Sequence, residues 1–229
     1  MSDTSGTPFA ALVFDFDGTL IDSAPDIALA LNGTLAAHGR APVTAGRVRG
    51  MVGDGSANLL RQAFRETGAP LDEADLPAVL ADYTDRYFDL PADPACLYPG
   101  VADTLKALAQ AGVGLGLCTN KPERIARNVL GMIGLGGLFG AVAGGDTLPV
   151  RKPDAGPVRH VLQALGGGRA AMIGDGVNDV LSARAAGIPV ALVSYGYPRG
   201  DVHGLGADLV FDRFAELPAA LERLAALAP

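Results

Sequence analysis

Six short apolar runs recur along the chain: Ala10 to Phe14, Val113 to Cys118, Ala141 to Ala143, Ala170 to Ile173, Val190 to Val193 and Asp208 to Phe211. They are bounded by Gly, Asp or Asn and are too short for buried helices, so they are read as strands. Apolar residues three and four apart mark helices over Val101 to Ala111, Glu123 to Ile133, Pro157 to Leu165, Val177 to Ala186 and Ala215 to Leu227. Strands separated by helices cannot pair as hairpins. Each connection crosses over and returns, which gives a parallel sheet covered by helices on both faces. The expected fold class is α/β.

The stretch from Ser23 to Leu97 breaks this alternation. It carries helical patterns only, at Ile27 to His38, Ala45 to Met51, Ser56 to Thr67 and Ala74 to Leu90, and ends in a linker with Pro91, Pro94 and Pro99. The expected organisation is an α/β core of residues 1–22 and 98–229, with a small all-helical cap of residues 23–97 inserted after the first strand. No internal repeat is present. Asp22 to Ala24 and Leu97 to Gly100 are the expected hinges between the two parts.

A chain of 229 residues with 49% hydrophobic content has enough apolar material for a sizeable core. Its net charge of -7 and lack of any basic run argue against nucleic acid as a partner. No run approaches the roughly 20 apolar residues that cross a bilayer, and Asp15 cuts the first one, so neither export nor membrane insertion is expected. Cys96 and Cys118 are too few for a disulfide scaffold, which favours a cytoplasmic location. His38, His160 and His203 stand apart without zinc-ligand spacing, and no Gly-Lys pair exists for a Walker-type phosphate loop. Gly166, Gly168 and Ala171 fit G-x-G-x-x-A but precede a strand, the wrong order for a dinucleotide site. A homodimer remains open.

The chemistry gathers at the strand exits. The first strand runs into Asp15, Phe16, Asp17, Gly18 and Thr19. Residues two apart on extended chain share a side, so both carboxylates face one spot beyond the carboxyl end of the strand. Open parallel sheets bind ligands there. Alone, such a pair before Gly is also what a turn with capping carboxylates looks like. The second strand, however, ends in Cys118, Thr119 and Asn120; Lys152 follows the third; Gly174, Asp175 and Gly176 follow the fourth, with Asp179 four residues beyond Asp175. Carboxylates, a hydroxyl, an amide and an ammonium are thus delivered to one edge of the sheet.

These residues resemble the four motifs of the haloacid dehalogenase superfamily: Asp15 with Asp17, Thr119, Lys152, and Asp175 with Asp179. The resemblance covers essentially the whole chain and implies a Rossmann-like core with a helical cap. Within the superfamily the chain is similar to the phosphoglycolate phosphatases, through Thr19 to Asp26, Val52 to Gly55, Cys118 to Pro122, and Tyr195 to Tyr197. Ala155 departs from a frequent Pro and Gly176 from a frequent Ser.

The resemblance implies an enzyme that hydrolyses phosphate monoesters, with Asp15 as nucleophile, Asp17 as general acid and base, and Thr119 and Lys152 in the catalytic set. It places metal ligation at Asp15, the backbone carbonyl of Asp17 and Asp175, with Asp179 in an outer or adjacent role. Like charges 4 Å apart repel by about 4 kcal/mol at an effective dielectric of about 20. Crowded carboxylates therefore require cations before a dianionic phosphate enters, and Mg²⁺ is expected from the all-oxygen set. Thr119 and Asn120 suit the phosphate oxygens. Gly53, Gly55 and Ser56 open a cap helix whose free N–H groups suit a small carboxylate, although a plain capping turn looks the same. Lys121, Arg49 and Arg65 are further candidates for contact with the substrate; the plain expectation is a surface location for each.

The implied substrate is a small phosphorylated metabolite, with 2-phosphoglycolate first and a sugar phosphate or pyrophosphate as alternatives. The cap has no lysine between Ser23 and Leu97, which excludes a cap-borne Schiff base. Asp17 favours phosphate chemistry over dehalogenation, and Gly174 favours a phosphatase over a phosphoglucomutase. A phosphate-binding regulator without catalysis is the alternative from another class.

Overall fold

The computed structural model describes residues 7–227; the terminal residues 1–6 and 228–229 of the expected core lie outside it. The strands β1 (Ala11–Phe14), β2 (Gly114–Cys118), β3 (Ala141–Ala143), β4 (Ala170–Gly174), β5 (Val190–Val193) and β6 (Leu209–Phe211) form one sheet in the order β3-β2-β1-β4-β5-β6. Every pairing is parallel. After β1 the chain builds outward on one side, then returns to place β4 on the other side of β1. The crevice between the carboxyl ends of β1 and β4 is therefore the topological switch point, where such sheets take ligands.

Alternation along each strand sends side chains to two apolar layers. Leu12, Phe14, Leu115, Leu117, Ile173 and Val193 belong to the larger cluster, whereas Val13, Cys118, Met172, Val190 and Leu192 belong to the other. Nearly every strand residue is buried, as a sheet covered on both faces requires.

The interrupting segment forms four helices, α1 (Ala24–Ala37), α2 (Ala45–Arg49), α3 (Ser56–Thr67) and α4 (Leu76–Phe88), and a short 3-10 turn at Pro94–Cys96. Leu31, Leu35, Leu60 and Tyr83 from these helices join the larger core cluster, so cap and core share one apolar contact. The two connecting segments pair with each other: Asp22 N–H donates to the Cys96 carbonyl at 2.8 Å and Tyr98 N–H to the Leu20 carbonyl at 3.1 Å. The sheet is completed by α5 (Val101–Gln110), α6 (Glu123–Met132), α7 (Gly156–Ala164), α8 (Val177–Ala186) and α9 (Leu217–Leu227).

The sequence boundaries of the strands agree with the structure to within a residue. Larger shifts are at helix starts. Pro25 lies in the first turn of α1, where its missing N–H costs nothing, so that helix begins three residues before Ile27. The last helical pattern divides into a 3-10 turn at Phe214–Glu216 and α9. Among the described residues, no helix is long and apolar enough to cross a membrane.

Candidate active site

At the exit of β1, Phe14 and Phe16 are fully buried in the core, which turns the intervening Asp15 and the following Asp17 toward the rim. Asp15 N–H donates to the Ile173 carbonyl at 2.9 Å, fixing the nucleophile candidate against β4. Gly18 completes the turn with φ of 82°, and a Cβ there would stand 2.3 Å from an Asp175 carboxylate oxygen. Only glycine satisfies both the left-handed backbone and the close approach.

Lys152 is the hub. Its Nζ lies 2.9 Å from Asp15 Oδ1 and 2.6 Å from Asp179 Oδ1, and its side chain is 2% exposed. Asp179 caps its own helix backward: Oδ2 accepts from the N–H groups of Asp175 and Gly176, each at 3.1 Å. Asp175 accepts from Tyr197 N–H at 2.6 Å and from the Thr19 hydroxyl at 3.2 Å.

One ammonium does not balance these charges. Burial pushes the Asp15 carboxyl up to about 7; adjacent Lys152 opposes that shift and the Asp179 charge adds to it. Asp175 is also held well above the ordinary carboxylate range, by burial first and then by Asp15 and Asp179. Burial alone would lower the Lys152 ammonium, but those carboxylates outweigh it and hold the group well above its ordinary value. Asp15, Asp175 and Asp179 bring carboxylate oxygens within 4.8 Å of one another. This all-oxygen, charge-crowded set fits a hard divalent cation. Asp179 is the most committed of the three, with Oδ1 on the Lys152 ammonium and Oδ2 on two backbone N–H groups, which suits the outer role expected for it; the Asp175 oxygens accept one bond each, from Thr19 and Tyr197.

Thr119 lies at the exit of β2 and is 3% exposed. Its Oγ1 accepts from Lys121 N–H at 3.2 Å, which leaves the hydroxyl proton to donate into the cavity. In place of a free Asn120 amide for phosphate, Nδ2 donates to the Gly53 carbonyl at 2.8 Å and the Lys152 carbonyl at 2.9 Å, tying the cap loop to the lysine loop. Gly53, Gly55 and Ser56 line the cavity, which measures about 70 Å³.

The surface expectation fails for Lys121 and holds for Arg49 and Arg65. Lys121 is not a surface charge: it is 5% exposed, its Nζ is 2.9 and 3.2 Å from the two Asp17 oxygens, and it rests 4.2 Å from the centre of the Tyr87 ring. Its sequence signal was adjacency to Thr119 and Asn120 at a strand exit. Arg49 pairs with Asp22 at 2.7 Å beside Tyr197, and does not line the cavity. Arg65 is exposed on α3 and does not line it either.

Arg199 escaped the sequence reading because nothing local marks a loop arginine that reaches across to the cap. Its Nη1 lies 2.6 Å from Asp54 Oδ2 and its Nη2 donates to the Val52 carbonyl at 3.0 Å. Asn178 adds bonds to Asp54 Oδ1 at 2.9 Å and to the Gly53 carbonyl at 3.1 Å.

Comparison with known proteins identifies the family. The family model for haloacid dehalogenase-like hydrolases matches residues 9–187. A phosphoglycolate phosphatase of Caulobacter vibrioides is 44% identical over 213 residues, covering 92% of this chain and 90% of the relative. One from Rhodospirillum rubrum is 46% identical over 213 residues, covering 90% and 88%. A crystal structure described as a predicted phosphoglycolate phosphatase from Haemophilus somnus superimposes with a TM-score of 0.82 at 29% identity, covering 93% of this chain and 98% of that one. With the motif residues assembled at one rim and most of the length matched, this chain belongs to the haloacid dehalogenase-like hydrolase family.

Proposed function

We propose that this protein is a Mg²⁺-dependent phosphomonoesterase that hydrolyses 2-phosphoglycolate to glycolate and inorganic phosphate. The observation that carries the reading is the Asp15–Lys152–Asp179 cluster beside Asp175, at the switch point of a chain whose curated relatives are phosphoglycolate phosphatases.

An Asp15 carboxylate oxygen attacks phosphorus, the bond from phosphorus to the bridging oxygen breaks, and Asp17 delivers a proton to the departing alkoxide. Asp17 then takes a proton from water, whose oxygen attacks phosphorus; the bond to Asp15 breaks and inorganic phosphate leaves. Thr119 donates to a non-bridging oxygen, and Lys152 holds Asp15 in place while opposing the charge of the transferring group. Asp15, the backbone carbonyl of Asp17 and Asp175 would hold the metal, with Asp179 supporting from behind. When bound, Mg²⁺ supplies the positive charge that admits a dianionic phosphate among carboxylates.

The test is phosphate release from a panel of phosphorylated metabolites with and without Mg²⁺. The expected result is Mg²⁺-dependent turnover with 2-phosphoglycolate first; a sugar phosphate or pyrophosphate ranked above it refutes the substrate. Asp15→Asn should abolish turnover while its circular dichroism stays native, and substantial residual activity would sink the mechanism.

A further inference from the structure

We propose that Lys121 is the residue that recognises the carboxylate of the substrate, exchanging its Asp17 partner for that carboxylate as substrate enters. The inference rests on the phosphoglycolate reading above and names the group that selects the acid end.

Three cationic side chains line the cavity: Lys121, Lys152 and Arg199. Lys152 is committed to Asp15 and Asp179, on the side where phosphorus is attacked. Arg199 is committed at both ends of its fork, to Asp54 and the Val52 carbonyl, and is 41% exposed at the cap loop. Lys121 has one carboxylate partner, Asp17, at 2.9 Å, and its side chain is 3% exposed.

Position favours it too. Asp17 serves the bridging oxygen of the ester, and in phosphoglycolate a single methylene separates that oxygen from the carboxylate carbon. A cation in contact with Asp17 is therefore beside the place where the substrate carboxylate must lie. Moving Nζ from one carboxylate to the other keeps the buried ammonium paired and leaves both Asp17 oxygens open to the bridging oxygen. The aromatic face of Tyr87 supports the ammonium in either place, because a ring 4.2 Å away attracts a cation without binding it in one direction.

The start of α3, at Gly55 and Ser56, is the competing carboxylate receptor. A helix terminus offers the equivalent of about half a charge, whereas Lys121 offers a full one in a wall with little water. An alkyl phosphate without an acid group provides nothing to draw Lys121 off Asp17. Selection thus acts through both capture and the release of the acid-base residue.

The experiment compares 2-phosphoglycolate with ethyl phosphate, which lacks the carboxylate, in the wild-type protein, Lys121→Met and Lys121→Arg, with Mg²⁺ present. The wild type is expected to favour phosphoglycolate in kcat/KM. Lys121→Met should lower the ratio of the two kcat/KM values at least tenfold, and Lys121→Arg should restore most of the ratio because the charge returns. Equal losses on both substrates in Lys121→Met would overturn the proposal, since Lys121 would then act on Asp17 alone. An unchanged ratio with full activity would overturn it as well. Should Lys121→Met fail to fold, Lys121→Gln takes its place: a fall in the ratio of the two kcat/KM values supports the role, and equal changes on both substrates reject it. A wild type with no preference between the two substrates refutes the phosphoglycolate reading itself, a result distinct from any change among the variants.

Discussion

On the core side of the cavity, Asp15, Lys152, Asp175 and Asp179 are bonded to one another and to backbone at the ends of the sheet. On the cap side, the carbonyls of Val52 and Gly53 and the carboxylate of Asp54 are held by Asn120, Asn178 and Arg199, all of which belong to the core. The first group is buried and mutually restrained, so its geometry exists before substrate arrives. The second is mostly half-exposed, with Asn120 its buried member, and is held by side chains from across the cavity. On the proposed mechanism, transition-state precision would reside in the core and substrate enclosure in the cap contact. Damage to the core group should cost stability and turnover together, while damage to the cap contact should act on substrate capture.

The largest break comes from Lys152→Met. It leaves Asp15 and Asp179 facing each other with no cation between them, and removal of one partner from a buried ion pair typically destabilises by about 3–5 kcal/mol. Chemical denaturation without metal should show a loss of that size, and turnover should fall to background. Saturating Mg²⁺ should restore part of the stability, by binding the folded form alone, without restoring turnover. A variant as stable as the wild type in the absence of metal would show that Lys152 does not bind the cluster together.

A smaller break tests shape instead of charge. Gly196 passes so close to the metal-side carboxylate that an added Cβ would meet Asp175 Cβ at 2.3 Å, Oδ2 at 2.5 Å and the Gly18 carbonyl at 2.6 Å. Two of these are backbone or near-backbone atoms with little room to yield. Gly196→Ala should cost about 1–3 kcal/mol of stability, as overpacking does, and should weaken Mg²⁺ activation by displacing Asp175. An unchanged Mg²⁺ concentration for half-maximal activity would contradict this placement of Asp175.

The same division explains what could be read from the sequence. The core site was legible residue by residue because each member follows a strand: an apolar run ends, a polar residue follows, and the parallel sheet brings those exits together. Asp15, Thr119 and Asp175 all obey that rule, whereas Lys152 comes from the loop after β3. The cap helices were legible from periodicity, but their contacts were not. Nothing in the residues around Arg199 marks a side chain that crosses to Asp54, a partner 145 positions away. Lys121 failed for a different reason: lysines beside helix starts are ordinarily solvated, and its burial depends on Tyr87, brought over it by α4 of the inserted cap. Arg49 and Arg65 were plausible by charge alone, yet one is drawn to Asp22 and the other points outward.

The smallest effect sharpens the comparison most. Arg199 and Asp54 are 41% and 31% exposed, so water already screens their attraction, and a pair of this kind contributes about 1 kcal/mol or less to stability. Arg199→Ala should shift the melting temperature by no more than about 2–4 °C for a domain of this size. Its effect should fall on capture: KM for 2-phosphoglycolate rises severalfold, while kcat falls by a smaller factor because the core group is untouched. Salt provides an independent check. Added NaCl weakens an exposed ion pair, so it should raise KM in the wild type more steeply than in Arg199→Ala, where the pair is already gone. If kcat instead falls as far as KM rises, with the same salt response in both proteins, the Val52 to Gly55 loop belongs with the preorganised core and the two sides of the cavity are built alike.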